Sequence, residues 1–302
     1  MKKTFTLLSG LALMASLNTA EAQQQKELRA ILDNTIFQTD ATTNLSNGKG
    51  PVAYVGKLAS GDEMRAMFKF PISDSIPANA TINTVTVALY AVETGGTAPK
   101  LIQLHKLTKG FGEGNSNAAA GSPVGQASQT GDASWNYSEY NTASWTMAGG
   151  DYDFTLLGIQ TVLQSNNTIN WIDQGNSTAL KDLVQGWLDN PATNYGLITV
   201  GSGPSNGDYV GFASRESTVG QGGNAPKLIV NYTPDPSSVS NLNAENDNVA
   251  IYPNPSNSGL VTLSNLKNAT TVRLFDIAGR VAFESNLGGA NGQTRLDLSA
   301  LG

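Results

Sequence analysis

Along residues 64–70, Met64, Ala66, Phe68 and Phe70 alternate with Arg65, Met67 and Lys69, which is the two-residue period of a half-buried strand. Residues 84–91 repeat the pattern, with Val85, Val87 and Leu89 opposite Thr84, Thr86 and Tyr90. Seven further segments read as strands: Thr35–Gln38, Ala53–Leu58, Leu101–Leu107, Asp153–Leu157, Tyr195–Val200, Tyr209–Ser214 and Lys227–Tyr232. Clusters of Gly, Asn, Ser and Pro separate them. Many short strands with such punctuation predict an all-β fold, an antiparallel β-sandwich or jelly roll. One segment has a different period: Leu180, Leu183, Val184, Trp187 and Leu188 fall at helical spacing, with Ser177 as N-cap and Asn190-Pro191 as the stop. This predicts one short amphipathic helix across an end or edge of the sandwich, with Trp187 in the core.

The two ends read as addresses. Lys2 and Lys3, the mainly apolar run Phe5–Leu17 and the small-residue pattern Ala20-Glu21-Ala22 predict a signal peptide over residues 1–22 and a product beginning at Gln23. No later stretch approaches the roughly 20 apolar residues of a membrane span, so none is expected. Residues 234–248 open with Pro234-Asp235-Pro236, carry little apolar content and read as a linker between a domain at 23–233 and a small one at 249–302. In that last segment Tyr252-Pro253-Asn254-Pro255, the turn Ser258-Gly259 and the run Leu274-Phe275-Asp276-Ile277-Ala278-Gly279-Arg280 occur in order. The order resembles the C-terminal sorting domain of the type IX secretion system of Bacteroidetes-type bacteria. The resemblance implies a small C-terminal β-sandwich, the type IX machinery as a partner, and passage through the periplasm to the outer cell surface or medium. It also implies a closing strand after residues 299–302, so the unit is expected to be incomplete at its C-terminus.

Composition narrows the chemistry. The 302 residues include 18 Lys and Arg against 24 Asp and Glu, a formal charge of −6. Such a surface suits neither nucleic acid nor an anionic membrane. There is no cysteine. Disulfides, thiol catalysis and thiolate metal sites are therefore excluded.

Within residues 30–233 a second series of short motifs occurs in order. It runs from Asp33-Asn34-Thr35-Ile36, through Met67-Phe68-Lys69-Phe70, Val87-Ala88-Leu89-Tyr90, Gly112-Glu113-Gly114, Ala133-Ser134-Trp135 and Gly149-Gly150-Asp151, to Phe212-Ala213-Ser214-Arg215-Glu216 and Pro226-Lys227-Leu228. The series resembles the DNRLRE-type domain, grouped with carbohydrate-binding module family 96. That resemblance implies a non-catalytic jelly-roll module that binds extracellular polysaccharide. Modules of this kind are often joined to a degradative domain, and this chain carries none.

The residues themselves offer several sites. Trp135, Tyr137, Tyr140, Trp145 and Tyr152 crowd into one segment beside Asn136 and Glu139, as stacking on sugar rings with polar edges requires. Trp135, Tyr137, Tyr140 and Trp145 are the ligand candidates, although a long loop also needs aromatic anchors. Arg65 and Lys69, with Lys57 and Lys106 on neighbouring strands, could form an outward basic row that reads uronate carboxylates. Asp151 and Asp153, with Asp33 or backbone carbonyls, could hold a structural Ca²⁺, since calcium takes six to eight oxygens, while Asp153 could equally cap a turn. No other cofactor is expected.

An enzyme is the alternative reading: glycoside cleavage needs two carboxylates at a cleft, and Glu113, Glu139, Asp151 and Asp153 are available. His105 is the one histidine, sits in a strand-like run and lacks a nucleophile-elbow motif, which disfavours a serine hydrolase. Arg215-Glu216 reads as a structural ion pair. The favoured expectation is a secreted, non-catalytic polysaccharide binder; the alternatives are a polysaccharide hydrolase or lyase, and a matrix or adhesin subunit that contacts proteins.

Overall fold

A computed structural model describes residues 23–39, 44–118, 123–218, 223–235, 249–254, 256, 258–275 and 281–299. The expected signal peptide, residues 1–22, and most of the expected linker lie outside these residues. The chain divides into two compact units, residues 1–238 and 239–302.

In the first unit the strands are β1 (Gln24–Arg29), β2 (Leu32–Phe37), β3 (Leu45–Ser46), β4 (Val52–Lys57), β5 (Glu63–Lys69), β6 (Thr81–Gly95), β7 (Lys100–Lys106) and β8 (Gln126–Ala127). They continue as β9 (Tyr137–Glu139), β10 (Ala143–Ser144), β11 (Gly158–Val162) and β12 (Asn167–Ile172), and after helix α1 (Ala179–Asp189) as β13 (Leu197–Gly201), β14 (Tyr209–Ala213) and β15 (Lys227–Thr233). All pairings are antiparallel. The main path is β1-β15-β6-β14-β4-β5-β13-β7-β11, with β12 on β6 and β2 on β5. Its two ends face each other: Val85, Val87, Leu89, Leu228 and Val230 from one end share a core with Phe68, Leu104 and Leu197 from the other. This is the expected sandwich.

The period-two faces explain the packing. Met64, Ala66 and Phe68 are buried on one side of β5, and Val85, Val87 and Leu89 on one side of β6. Helix α1 contributes Leu180, Val184, Trp187 and Leu188 to the same core, as its spacing predicts. Its start differs from the prediction. Asp173, rather than Ser177, supplies the main cap, its carboxylate accepting the N–H groups of Leu180 at 2.9 Å and Lys181 at 3.0 Å.

Asp153–Leu157 is not a strand. The Asp153 carboxylate accepts the Thr155 N–H at 2.9 Å, making an Asx-type turn, and His105 Nδ1 lies 3.1 Å from both the Asp153 and Thr155 carbonyls. Five residues therefore bulge beside the end of β7 before pairing resumes at Gly158.

The opposite face of β5 is covered too. Met67 joins Ile36, Leu107, Phe111, Trp135, Trp145 and Ile198 in a second core, built where the loop after β7 folds over the sheet. A position that alternation marks as outward is thus buried by a distant segment.

The second unit is a separate three-stranded antiparallel sheet of β16 (Ala250–Tyr252), β17 (Leu260–Phe275) and β18 (Val281–Asp297). Val261, Leu263, Leu266 and Leu296 form its apolar cluster. Residues 276–280 of the Leu274–Arg280 motif lie outside the described residues.

Candidate functional site

The aromatic loop holds its tryptophans inward. Trp135 and Trp145 are 8% and 6% exposed, and Trp145 Nε1–H donates to the Ser134 carbonyl at 2.9 Å. They anchor the loop on the sheet. Tyr137 and Tyr140 are half-buried and meet edge to face, with ring centroids 5.3 Å apart, so each ring supports the other.

Arg65 belongs to the same assembly, which corrects the outward basic row. Its guanidinium lies 4.6 Å from the Trp135 ring centroid and 5.5 Å from that of Tyr152. It donates to the Gly149 carbonyl at 2.7 Å and to Glu63 at 3.1 Å. Gly149, at φ +91°, permits this approach, because a Cβ there would sit 2.6 Å from the guanidinium. Lys69 is half-buried on the same face, two positions beyond buried Met67. Lys106 pairs with Asp153 at 3.4 Å. Arg65 and Lys106 are thus engaged within the protein and do not form the expected outward row.

The three proposed calcium ligands do not converge. Asp33, 1% exposed on β2, joins Glu113 and Glu216, and one oxygen from each lies within 4.8 Å of the others. Arg215 binds Glu113 through Nε and through Nη2, the latter at 2.9 Å, reaches Glu216 at 3.0 Å and donates its backbone N–H to Asp33 at 2.7 Å. Lys49 contacts Glu113 and lies 3.7 Å from Glu216. Three carboxylates of this kind suit a hard cation, but two fixed cations already offset them. Burial holds Asp33 well above the usual carboxylate range and raises Glu216 as well. Arg215-Glu216 is the expected structural ion pair within a larger network.

Asp151 is a turn anchor. Burial pushes its carboxyl up, but the N–H groups of Thr146 and Met147, at 2.8–2.9 Å, outweigh this and leave it below its ordinary value. Asp153 lies below its ordinary value too, held by the Thr155 backbone N–H. His105 is nearly buried, which lowers its pKa, and its ring packs 5.2 Å from that of Tyr152. With Nδ1 against two carbonyls it pins the bulge.

Thr108, where the chain leaves β7, borders two open hollows. The first, about 460 Å³, is bounded by Lys106, Thr108, Asp182, Trp187, Thr193 and Tyr195. The second, about 400 Å³, is bounded by Thr108, Lys109, Thr146, Met147, Asp151 and Tyr152. Each is within the size range of small-ligand sites. Each also carries one cation and one carboxylate, an aromatic wall and hydroxyl groups. Tyr195 is 37% exposed in the turn after α1, and Phe154 is 68% exposed, 5.1 Å from the Tyr152 ring centroid. Tyr195 and Phe154 fall in segments whose pattern predicts strands, so the sequence does not mark either as an exposed loop aromatic. The Pro191 turn before Tyr195 and the Asx turn at Asp153 are the local signals that could have exposed them.

Comparison with known families bears on the second unit. Residues 250–302 match the secretion system C-terminal sorting domain. This sorting tail implies type IX export and a secreted or cell-surface location. No curated protein matches the chain. Among the described residues no helix is long and apolar enough to cross a membrane.

Proposed function

We propose that residues 23–233 form a non-catalytic module that binds extracellular polysaccharide at the paired hollows, and that the sorting tail delivers it outside the cell. The observation that carries this reading is that two hollows of ligand size lie on either side of Thr108. Tyr195 and Tyr152 offer ring surfaces, and Lys106, Lys109, Asp182 and the threonine hydroxyls offer donors and acceptors. A sugar needs that combination of apolar face and polar rim. The balanced charge favours a neutral glycan over a polyuronate. The resemblance of residues 30–233 to DNRLRE-type modules points the same way.

Binding is favoured over cleavage because two of the acids considered for cleavage, Glu113 and Asp151, are otherwise engaged. Glu113 is held by Arg215 and Lys49, and Asp151 by backbone N–H groups. A glycosidase needs one carboxyl kept protonated at an accessible cleft. Asp33, whose pKa burial raises, is 1% exposed and does not border a cleft.

A glycan array probed with the full chain tests the reading. Tyr195→Ala is expected to weaken binding to the preferred glycan at least tenfold while the melting temperature stays near that of the parent. Unchanged affinity in Tyr195→Ala, or no glycan bound by the parent chain, would reject the site.

A further inference from the structure

A third hollow, of about 140 Å³, lies where β7 begins, at the opposite end of that strand from Thr108. Its wall contains Lys100, which is 4% exposed, and Asp208, which is 8% exposed. Both are brought there by one turn. Lys100 Nζ donates to the Gly96 carbonyl at 2.9 Å, and Gly96, at φ +67°, lies so close to Asp208 that a Cβ would fall 1.9 Å from Oδ1. Asp208 Oδ2 accepts the Ser205 N–H at 3.2 Å.

A buried ammonium has three protons to place, and desolvating it is costly unless acceptors replace the lost water. Among the described residues the Lys100 ammonium bonds to one neutral carbonyl, that of Gly96. Lysine and aspartate thus border one hollow without neutralising each other directly. Pro99 and Pro204 add apolar surface, and Ser202 and Ser205 add polar groups.

The paired charges select the ligand. A simple anion would meet the Asp208 carboxylate, and a simple cation would meet Lys100. A neutral polyol satisfies both, since one hydroxyl accepts from Lys100 while another donates to Asp208, and its apolar face rests on proline. At about 140 Å³ the hollow is well below the roughly 300 Å³ at which drug-sized ligand sites begin, so it admits one small ring at most and not a chain.

We propose that this hollow is a second sugar site that takes a single neutral polyhydroxylated ring, either a free monosaccharide or the end unit of a glycan. It is separate from the paired hollows, so it stands or falls independently of the site at Thr108.

The test is amide NMR on the isotope-labelled full chain, titrated with neutral monosaccharides and with sulfate and glucuronate as anion controls. Neutral sugar is expected to shift the amides of residues 98–102 and 201–208 saturably. The apparent Kd should rise at least tenfold in Lys100→Met and in Asp208→Asn, and remain unchanged in Tyr195→Ala. Should Lys100→Met fail to fold, Asp208→Asn and the parent shift map still decide. Oligosaccharides of the responding sugar then separate a chain end, which gives the same shifts, from a free monosaccharide, which alone responds. Absence of saturable shifts with every neutral sugar would overturn the proposal. So would shifts produced by sulfate or glucuronate that survive Asp208→Asn.

Discussion

Arg65 shows how one side chain ties distant segments together. It leaves β5, stacks between Trp135 and Tyr152 and bonds to Gly149, so a strand and a loop some 80 residues later share one anchor. Trp145 completes that anchor. Trp145→Ala is expected to destabilise the sandwich by about 3–5 kcal/mol, the range for deleting a large buried aromatic; denaturant unfolding measures it. The Asp33 network makes a second prediction, from the sign of its shifts. The folded-state pKa values of Asp33 and Glu216 are raised, so their contribution to stability is fully present below the ordinary carboxylate value and is lost as pH rises through the raised values. Asp151 has a lowered value and acts oppositely, losing its contribution as pH falls through that value. The melting temperature should therefore be highest under mildly acidic conditions. Asp33→Asn, which keeps an acceptor for the Arg215 N–H, should flatten the decline toward higher pH. An unchanged profile in Asp33→Asn would show that Asp33 does not carry the effect.

The elements differ in how plainly they announce themselves. β5 and β6 carry apolar faces of their own, and their alternation is readable without a partner. β1 buries only Leu28 and pairs along a mostly polar edge, so its six residues show no apolar period. β12 alternates, with Ile169 and Trp171 buried, but Asn167 and Asn170 mask it as a loop. Asp153–Leu157 fails in the other direction: Phe154 and Leu156 look like strand positions, yet the Asx turn and His105 hold them out of the ladder. Arg65 looked solvated because the segment that covers it is far away in sequence. Long-range cover of this kind leaves no local trace, and the paired hollows were hidden for the same reason. For α1, the spacing located the buried face and missed the cap. Asp173→Ala removes the acceptor of two helix N–H groups and is expected to cost about 1–2 kcal/mol. A change within a few tenths of a kcal/mol would mean that Ser177, which accepts the Ala179 N–H at 3.4 Å, suffices.

At the scale of the molecule, the chain joins a cargo module to an export tail. The first unit has its own core and helix, and residues 23–233 are expected to unfold cooperatively as an isolated fragment, with a melting temperature close to that of the same unit in the full chain. Loss of a cooperative transition in the fragment would count against two independent units. Deleting residues 250–302 is expected to leave the protein in the periplasm of a type IX-competent host, read by cell fractionation; undiminished export would remove the tail from the account. The central claim is that the exported sandwich holds a neutral polysaccharide without cutting it. Its most direct test is calorimetric titration of the full chain with the glycan preferred on the array, at low and high salt, with reducing ends assayed in the same cell. The account predicts saturable binding with nearly the same Kd at both salt concentrations and no rise in reducing ends. Release of reducing ends, or affinity that collapses in high salt as screened ion contacts do, would contradict it.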